Sequence, residues 1–168
     1  NNGDANFSAL GVGSTLSIHA SHVSVIDCDL SQEGGTVGPT GATVASVSDF
    51  TRLAGGGDTV ENVLFRDCVI HDGTGLGMSV FPFSFNINPA IVGSIHHVRL
   101  EGCEIRNCDR QGFETDGLGS VTLIDVTVQS NAWAGIELSI QDATLQNCAS
   151  LDNGNEGVSV MHYDVGGG

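Results

Sequence analysis

One feature constrains the chain more than any other: it repeats itself. Val121-Thr122-Leu123-Ile124-Asp125-Val126-Thr127-Val128 aligns with Ala143-Thr144-Leu145-Gln146-Asn147-Cys148-Ala149-Ser150 at an offset of 22 residues. The match continues, with Asn131, Gly135, Ile136, Glu137 and Leu138 over Asn153, Gly157, Val158, Ser159 and Val160. The same frame recurs earlier at Val98–Ile105, Val63–Ile70 and Val23–Leu30, which makes five copies. Each copy is a short alternating strand, a turn residue, an inward position, a second short strand, an Asn/Asp/Gly corner, and a Gly-led third strand. The turn residues are Asp27, Asp67, Gly102, Asp125 and Asn147. These residue types tolerate left-handed backbone angles or bond to their own backbone. Alternation sends every second side chain inward. No single copy of about this length can bury its own apolar side, so copies must stack. The pattern predicts an all-β parallel β-helix of about five to six coils.

The chain reads as a single domain over residues 1–168, with coils near 17–58, 59–94, 95–120, 121–142 and 143–164. Spacing is uneven. Cys28 to Cys68 is 40 residues, Cys68 to Cys103 is 35, and Cys103 to Val126 is 23. Two inserted loops are therefore expected, within Ser31–Asp58 and Gly73–Ser94. The first is Gly-rich, and the second holds Phe81-Pro82-Phe83-Ser84-Phe85. Long insertions in a solenoid leave from one face and often wall a binding site. End caps and neutral decoration are the alternatives.

Charge narrows the function. The chain has 20 acidic residues and five Arg but no Lys, for a net charge of −15. That balance excludes phosphate neutralisation on nucleic acid and attraction to an anionic membrane surface. No apolar run approaches the roughly 18 residues of a membrane span, so no membrane insertion is expected. The start, Asn1-Asn2-Gly3-Asp4, carries no signal peptide, as a mature secreted chain also would not. Asn6-Phe7-Ser8 fits a glycosylation sequon, a triplet that also arises by chance.

Four cysteines, Cys28, Cys68, Cys103 and Cys148, fall at the same inward position, which Val126 fills in the fourth coil. A stacked core ladder is the expected arrangement rather than disulfides or zinc. Cys108 lies outside this ladder and is the candidate reactive thiol.

Glu61-Asn62-Val63, then Arg66-Asp67-Cys68-Val69-Ile70, then a Gly-led strand, resembles the right-handed parallel β-helix (pectate-lyase-like) superfamily. The resemblance covers roughly residues 17–164. The superfamily includes pectate lyases, polygalacturonases, alginate lyases and epimerases, and phage tailspikes. The resemblance implies a right-handed coil and an extracellular or cell-surface protein that touches polysaccharide or a cell-surface glycan along one sheet. No catalytic sub-family is matched. There is no Asp-Pro-His-Glu stretch, and no Lys for a lysine-based lyase. Glu114-Thr115-Asp116-Gly117 resembles the first polygalacturonase motif, but Ala134-Gly135 and Glu156-Gly157 stand where the paired Asp and the His would follow. Any enzyme activity would be that of a polysaccharide hydrolase, lyase or epimerase.

The residues after each Gly supply the candidate site. One outward column is read as Gly77, Glu114, Glu137 and Ser159, and the next as Ser79, Asp116, Ser139 and Met161. Stacked strands lie about 4.8 Å apart, and residues i and i+2 about 6.7 Å apart. Glu114, Asp116 and Glu137 therefore gather on one outer face. Such carboxylates repel, so a pKa rises or a cation sits between them. They are candidate catalytic residues for retaining or inverting glycoside hydrolysis, and candidate ligands for Ca²⁺ as cofactor. A solvated face of an acidic protein is the plain alternative. Arg110, His162 and Tyr163 are the candidate substrate contacts. His96 and His97 are adjacent and face opposite ways, which makes a poor metal pair.

Two function classes stand. One is a secreted polysaccharide-contacting module. The other is a structural or self-assembling solenoid, such as a fibre, adhesin or filament subunit. Exposed strand edges without an amphipathic capping helix leave end-to-end self-association open to it.

Overall fold

The computed structural model describes residues 15–32, 43–48, 59–81 and 94–161. Every regular element among them is a strand, and every strand pair is parallel. The elements are β1 (Leu16–Ile18), β2 (Ser24–Ile26), β3 (Asp29–Ser31), β4 (Ala45–Val47), β5 (Thr59–Arg66), β6 (Val69–His71) and β7 (Met78–Val80). They continue with β8 (Ser94–Glu101), β9 (Glu104–Arg106), β10 (Phe113–Ile124), β11 (Thr127–Gln129), β12 (Ile136–Gln146), β13 (Ala149–Leu151) and β14 (Val158–Val160).

Three strand columns wind round one core. The first stacks β1, β4, β7, the first half of β10, the first half of β12, and β14. The second stacks β2, β5, β8 and the second halves of β10 and β12. The third stacks β3, β6, β9, β11 and β13. In β10 and β12 one strand runs from the first column into the second, where earlier coils leave the column for an insertion. The register shifts between Gly117 and Ser120, and Gly117 and Gly119 both have positive φ.

The corners obey the residue types. Asp27, Asp67, Gly102, Asp125 and Asn147 all have φ between 52° and 60°. A second left-handed column follows the third strands at Asp72, Asn107, Ser130 and Asp152. Each left-handed corner lets the chain change sheet in a residue or two, and only Gly, Asn and Asp adopt it cheaply.

Inside, like stacks on like. Met78, Phe113 and Ile136 form one fully buried column, and Phe65, Leu100 and Leu123 form another. Ile70, Ile105 and Val128 fill the third. Cys68, Cys103 and Val126 are buried at the first corner, with Cys28 and Cys148 half-buried at the two ends of the ladder. All five cysteines are free thiols. Each ladder Sγ–H donates to the carbonyl two residues back, as Cys68 does to Arg66 at 3.2 Å.

Two expectations change. The segment Ser31–Asp58 is not one loop: Ala45–Val47 sits within it as a coil strand paired with β1 and β7. The Gly-rich stretches at 33–39 and 54–57, and Asn6, lie outside the described residues. Cys108 is not an exposed reactive thiol. It is packed beside Gly73 and Gly77, and burial pushes its pKa up to about 11, where the thiol is inert.

Charged side chains on the outer faces pair along the stack. Arg66 and Arg99 both bind Glu101, and Arg106 binds Glu104. His71 bridges two carboxylates, Nδ1 to Asp72 at 2.8 Å and Nε2 to Asp29 at 2.6 Å. Burial opposes charge on His71, but the hydrogen bonds to Asp72 and Asp29 outweigh it, and the pKa rises above 6.5. The His71 bond holds the Asp72 carboxyl below its ordinary value. A raised imidazole stabilises the fold fully below its unfolded pKa, and that part is lost as pH rises through the folded value. A lowered carboxyl contributes above its unfolded pKa, and that part is lost as pH falls through the folded one. The stability difference between wild type and His71→Gln, measured by urea titration across pH, should peak between the carboxylate range and the raised imidazole pKa. It should shrink on both sides, and a flat difference would refute the bridge.

Candidate functional site

The first column carries the candidate site on its outer side. In β10 the alternation is Phe113 inward, Glu114 outward, Thr115 inward and Asp116 outward. In β12 Ile136 and Leu138 point in, and Glu137 and Ser139 point out. Thr115 takes an apolar position beside Val80 and Leu138. Its hydroxyl is satisfied there by the Ser139 N–H at 3.2 Å.

The register brings Glu114 directly opposite Glu137, and Asp116 opposite Ser139. The three carboxylates thus share one face, as the alternation requires. Their neighbour on the other side differs from expectation: Glu114 lies opposite Ser79, not Gly77. The Met78 N–H donates to the Gly112 carbonyl, so Gly77 occupies the corner that Gly112 and Gly135 occupy in later coils. The outer column is therefore Ser17, Ser46, Ser79, Glu114, Glu137 and Ser159.

A pocket of about 210 Å³ opens on this face, lined by Leu76, Ser79, Phe81, Glu114 and Asp116. Ser79 is 2% exposed, and its hydroxyl has no hydrogen-bond partner among the described residues. Gln111 is also buried; its Nε2 donates to Glu137 Oε2 at 3.0 Å, and its Oε1 accepts nothing. Burial pushes the Glu114 carboxyl up, and the negative charges of Glu137 and Asp116 add to it, against the opposing field of Arg110. Asp116 is also raised by burial, while bonds to the Gly117 N–H and to Ser139 hold it back.

Arg110 comes from the corner before β10, and its guanidinium lies 4.7 Å from the centre of the Trp133 ring. The Trp133 N–H donates to the Arg110 carbonyl, which stacks the two corners. Trp133 is 45% exposed. Arg110 thus links the exposed Trp133 ring to the field around Glu114. Sequence reading found Arg110 and put Ser79 outward beside Asp116 instead of Glu114, named Phe81 only as part of an insertion, and missed Trp133. The signal for Trp133 was its place at a corner one coil above Arg110, 23 residues on. His162 and Tyr163 lie outside the described residues.

Among the described residues no group of three or more His, Cys, Asp or Glu side chains is arranged to hold a metal ion. Glu137 is drawn to Gln111, and Asp116 to the Gly117 N–H and Ser139, so the carboxylates share a face without converging.

Fold and face together define a β-solenoid module with one carboxylate-lined sheet. The family model for the right handed beta helix region matches residues 88–165, which include all of β8 to β14. In fold the chain is a right-handed parallel β-helix, and the match singles out no sub-family. No curated protein and no solved structure matches it.

Proposed function

We propose that this chain is an extracellular module that contacts polysaccharide along the outer face carrying Glu114, Asp116 and Glu137. The observation that carries the reading is the pocket between Leu76, Ser79, Phe81, Glu114 and Asp116; Arg110, whose charge acts on Glu114, also stacks on the half-exposed Trp133. At about 210 Å³ it is smaller than the roughly 300–1,000 Å³ of drug-sized sites, so it takes one sugar unit of a longer chain. The rest of that chain runs across the stack, over the serine column on one side and Glu137 on the other. Turnover, for a bound glycan that is cleaved, runs through the same carboxyl groups. Glu114, with its raised pKa, supplies the protonated partner and a neighbouring carboxylate the ionised one.

The test is a glycan array followed by calorimetry on the best ligand. Glu114→Gln and Trp133→Ala should each weaken binding at least about tenfold, near 1.4 kcal/mol. Arg99→Gln, on a different face, should leave it unchanged. An array without binders, or wild-type affinity in both site variants, would refute the reading.

A self-assembling solenoid has one observation in its favour. Leu145, Val158 and Val160 occupy inward columns in the last described coil yet are exposed, Val160 at 75%.

A further inference from the structure

We infer that the pocket on the outer face binds a sugar unit bearing a protonated amine, so that the polysaccharide is an amino-sugar polymer rather than a polyuronate. This rests on the glycan-contact reading above and narrows it to a ligand class. Three observations carry it.

The first is the hydrogen-bond character of the site. Glu114, Asp116 and Glu137 are acceptors when ionised, and Gln111 Oε1 beside Glu137 is a buried acceptor without a donor. An ammonium group has three donors and no acceptor, the complement of such a surface. A uronate brings more acceptors and a repelled charge.

The second is the Ser79 hydroxyl. It lines the pocket, is almost wholly buried, and has no partner among the described residues. Leaving a buried hydroxyl unsatisfied is unfavourable, because it loses its bonds to water and gains none. The register puts it directly opposite Glu114, so one donor group can reach both.

The third is charge. Glu137 and Asp116 act against ionisation of the part-buried Glu114, with Arg110 opposing them, and a further cation on this face relieves that repulsion. Arg110 lies against Trp133 and is not among the described residues that line the pocket. A bare metal ion is the poorer occupant, because the carboxylates do not converge as a ligand set. An ammonium on a sugar ring needs only hydrogen-bond distances to two or three of them.

Calorimetry with three tetrasaccharides tests this, at a pH that keeps the amine protonated: glucosamine, N-acetylglucosamine and galacturonate tetramers. The glucosamine tetramer should bind at least about tenfold tighter than its N-acetylated counterpart, and the galacturonate tetramer should not bind. Glu114→Gln and Asp116→Asn, each checked for native circular dichroism, should reduce that preference to less than about twofold. Equal or tighter binding of the acetylated or acidic tetramer overturns the amine inference and leaves glycan contact standing. So does an array hit on another glycan when none of the three tetramers binds. An array with no binder at all overturns the underlying reading as well.

Discussion

Gly119→Ala should cost about 3 kcal/mol or more and leave the protein largely unfolded at modest urea. Gly119 sits where β10 passes from the first column to the second, with φ at +144°. An L side chain rarely adopts that angle. A Cβ there would also run into the backbone oxygen of Ile95 in β8. β8 cannot retreat, because it is paired on its other side with β5 over seven residue pairs. Strain and overlap therefore add. Gly157→Ala is the matched control. Its Cβ would meet only Ser150, at 3.5 Å or beyond, which is ordinary contact. It should change stability by no more than about 0.5 kcal/mol. Urea midpoints for the two variants check the contrast. A Gly119→Ala protein as stable as Gly157→Ala would show that the bend is not where this chain turns.

Phe113→Ala should cost about 3–5 kcal/mol. Phe113 is fully buried, between Met78 below and Ile136 above. Truncation opens a cavity in a column whose neighbours are held by ladders on both sides, so little collapse can refill it. Against a domain stability of about 5–15 kcal/mol that is a large fraction. Phe113→Leu keeps most of the volume and should cost less than about 1.5 kcal/mol. The substitution also speaks to function. Phe113 precedes Glu114, so loosening it frees the carboxyl from its place opposite Ser79. Glycan affinity should fall in Phe113→Ala even where the protein remains folded. Denaturant titration with parallel calorimetry separates the two effects. Wild-type stability in Phe113→Ala would show that the column is not the core.

Much of this was legible from residues alone. Asp27, Asp67, Gly102, Asp125 and Asn147 mark the corners because few residue types accept a left-handed angle, and all five have one. The cysteine ladder could be read because Val126 shares its position. Cys108 was misjudged because it has no counterpart in that ladder, and burial depends on which corner packs over it. Glu114, Asp116 and Glu137 were found on one face because strand alternation has period two. Period two says which side a carboxylate points to and not whether it converges with another.

What the sequence by itself determined is the solenoid: the repeat length, the three short strands, the corners, and the parity that puts each side chain in or out. What only the tertiary structure decided is the register between coils of unequal length. Gly75 and Gly77 both suit the corner, and a slip of two residues preserves parity, so no pattern along the chain can choose between them. The hydrogen bonds from the Gly77 N–H to the Gln111 carbonyl and from the Met78 N–H to the Gly112 carbonyl choose. They set Ser79, not Gly77, opposite Glu114, and so give the pocket its unpartnered hydroxyl.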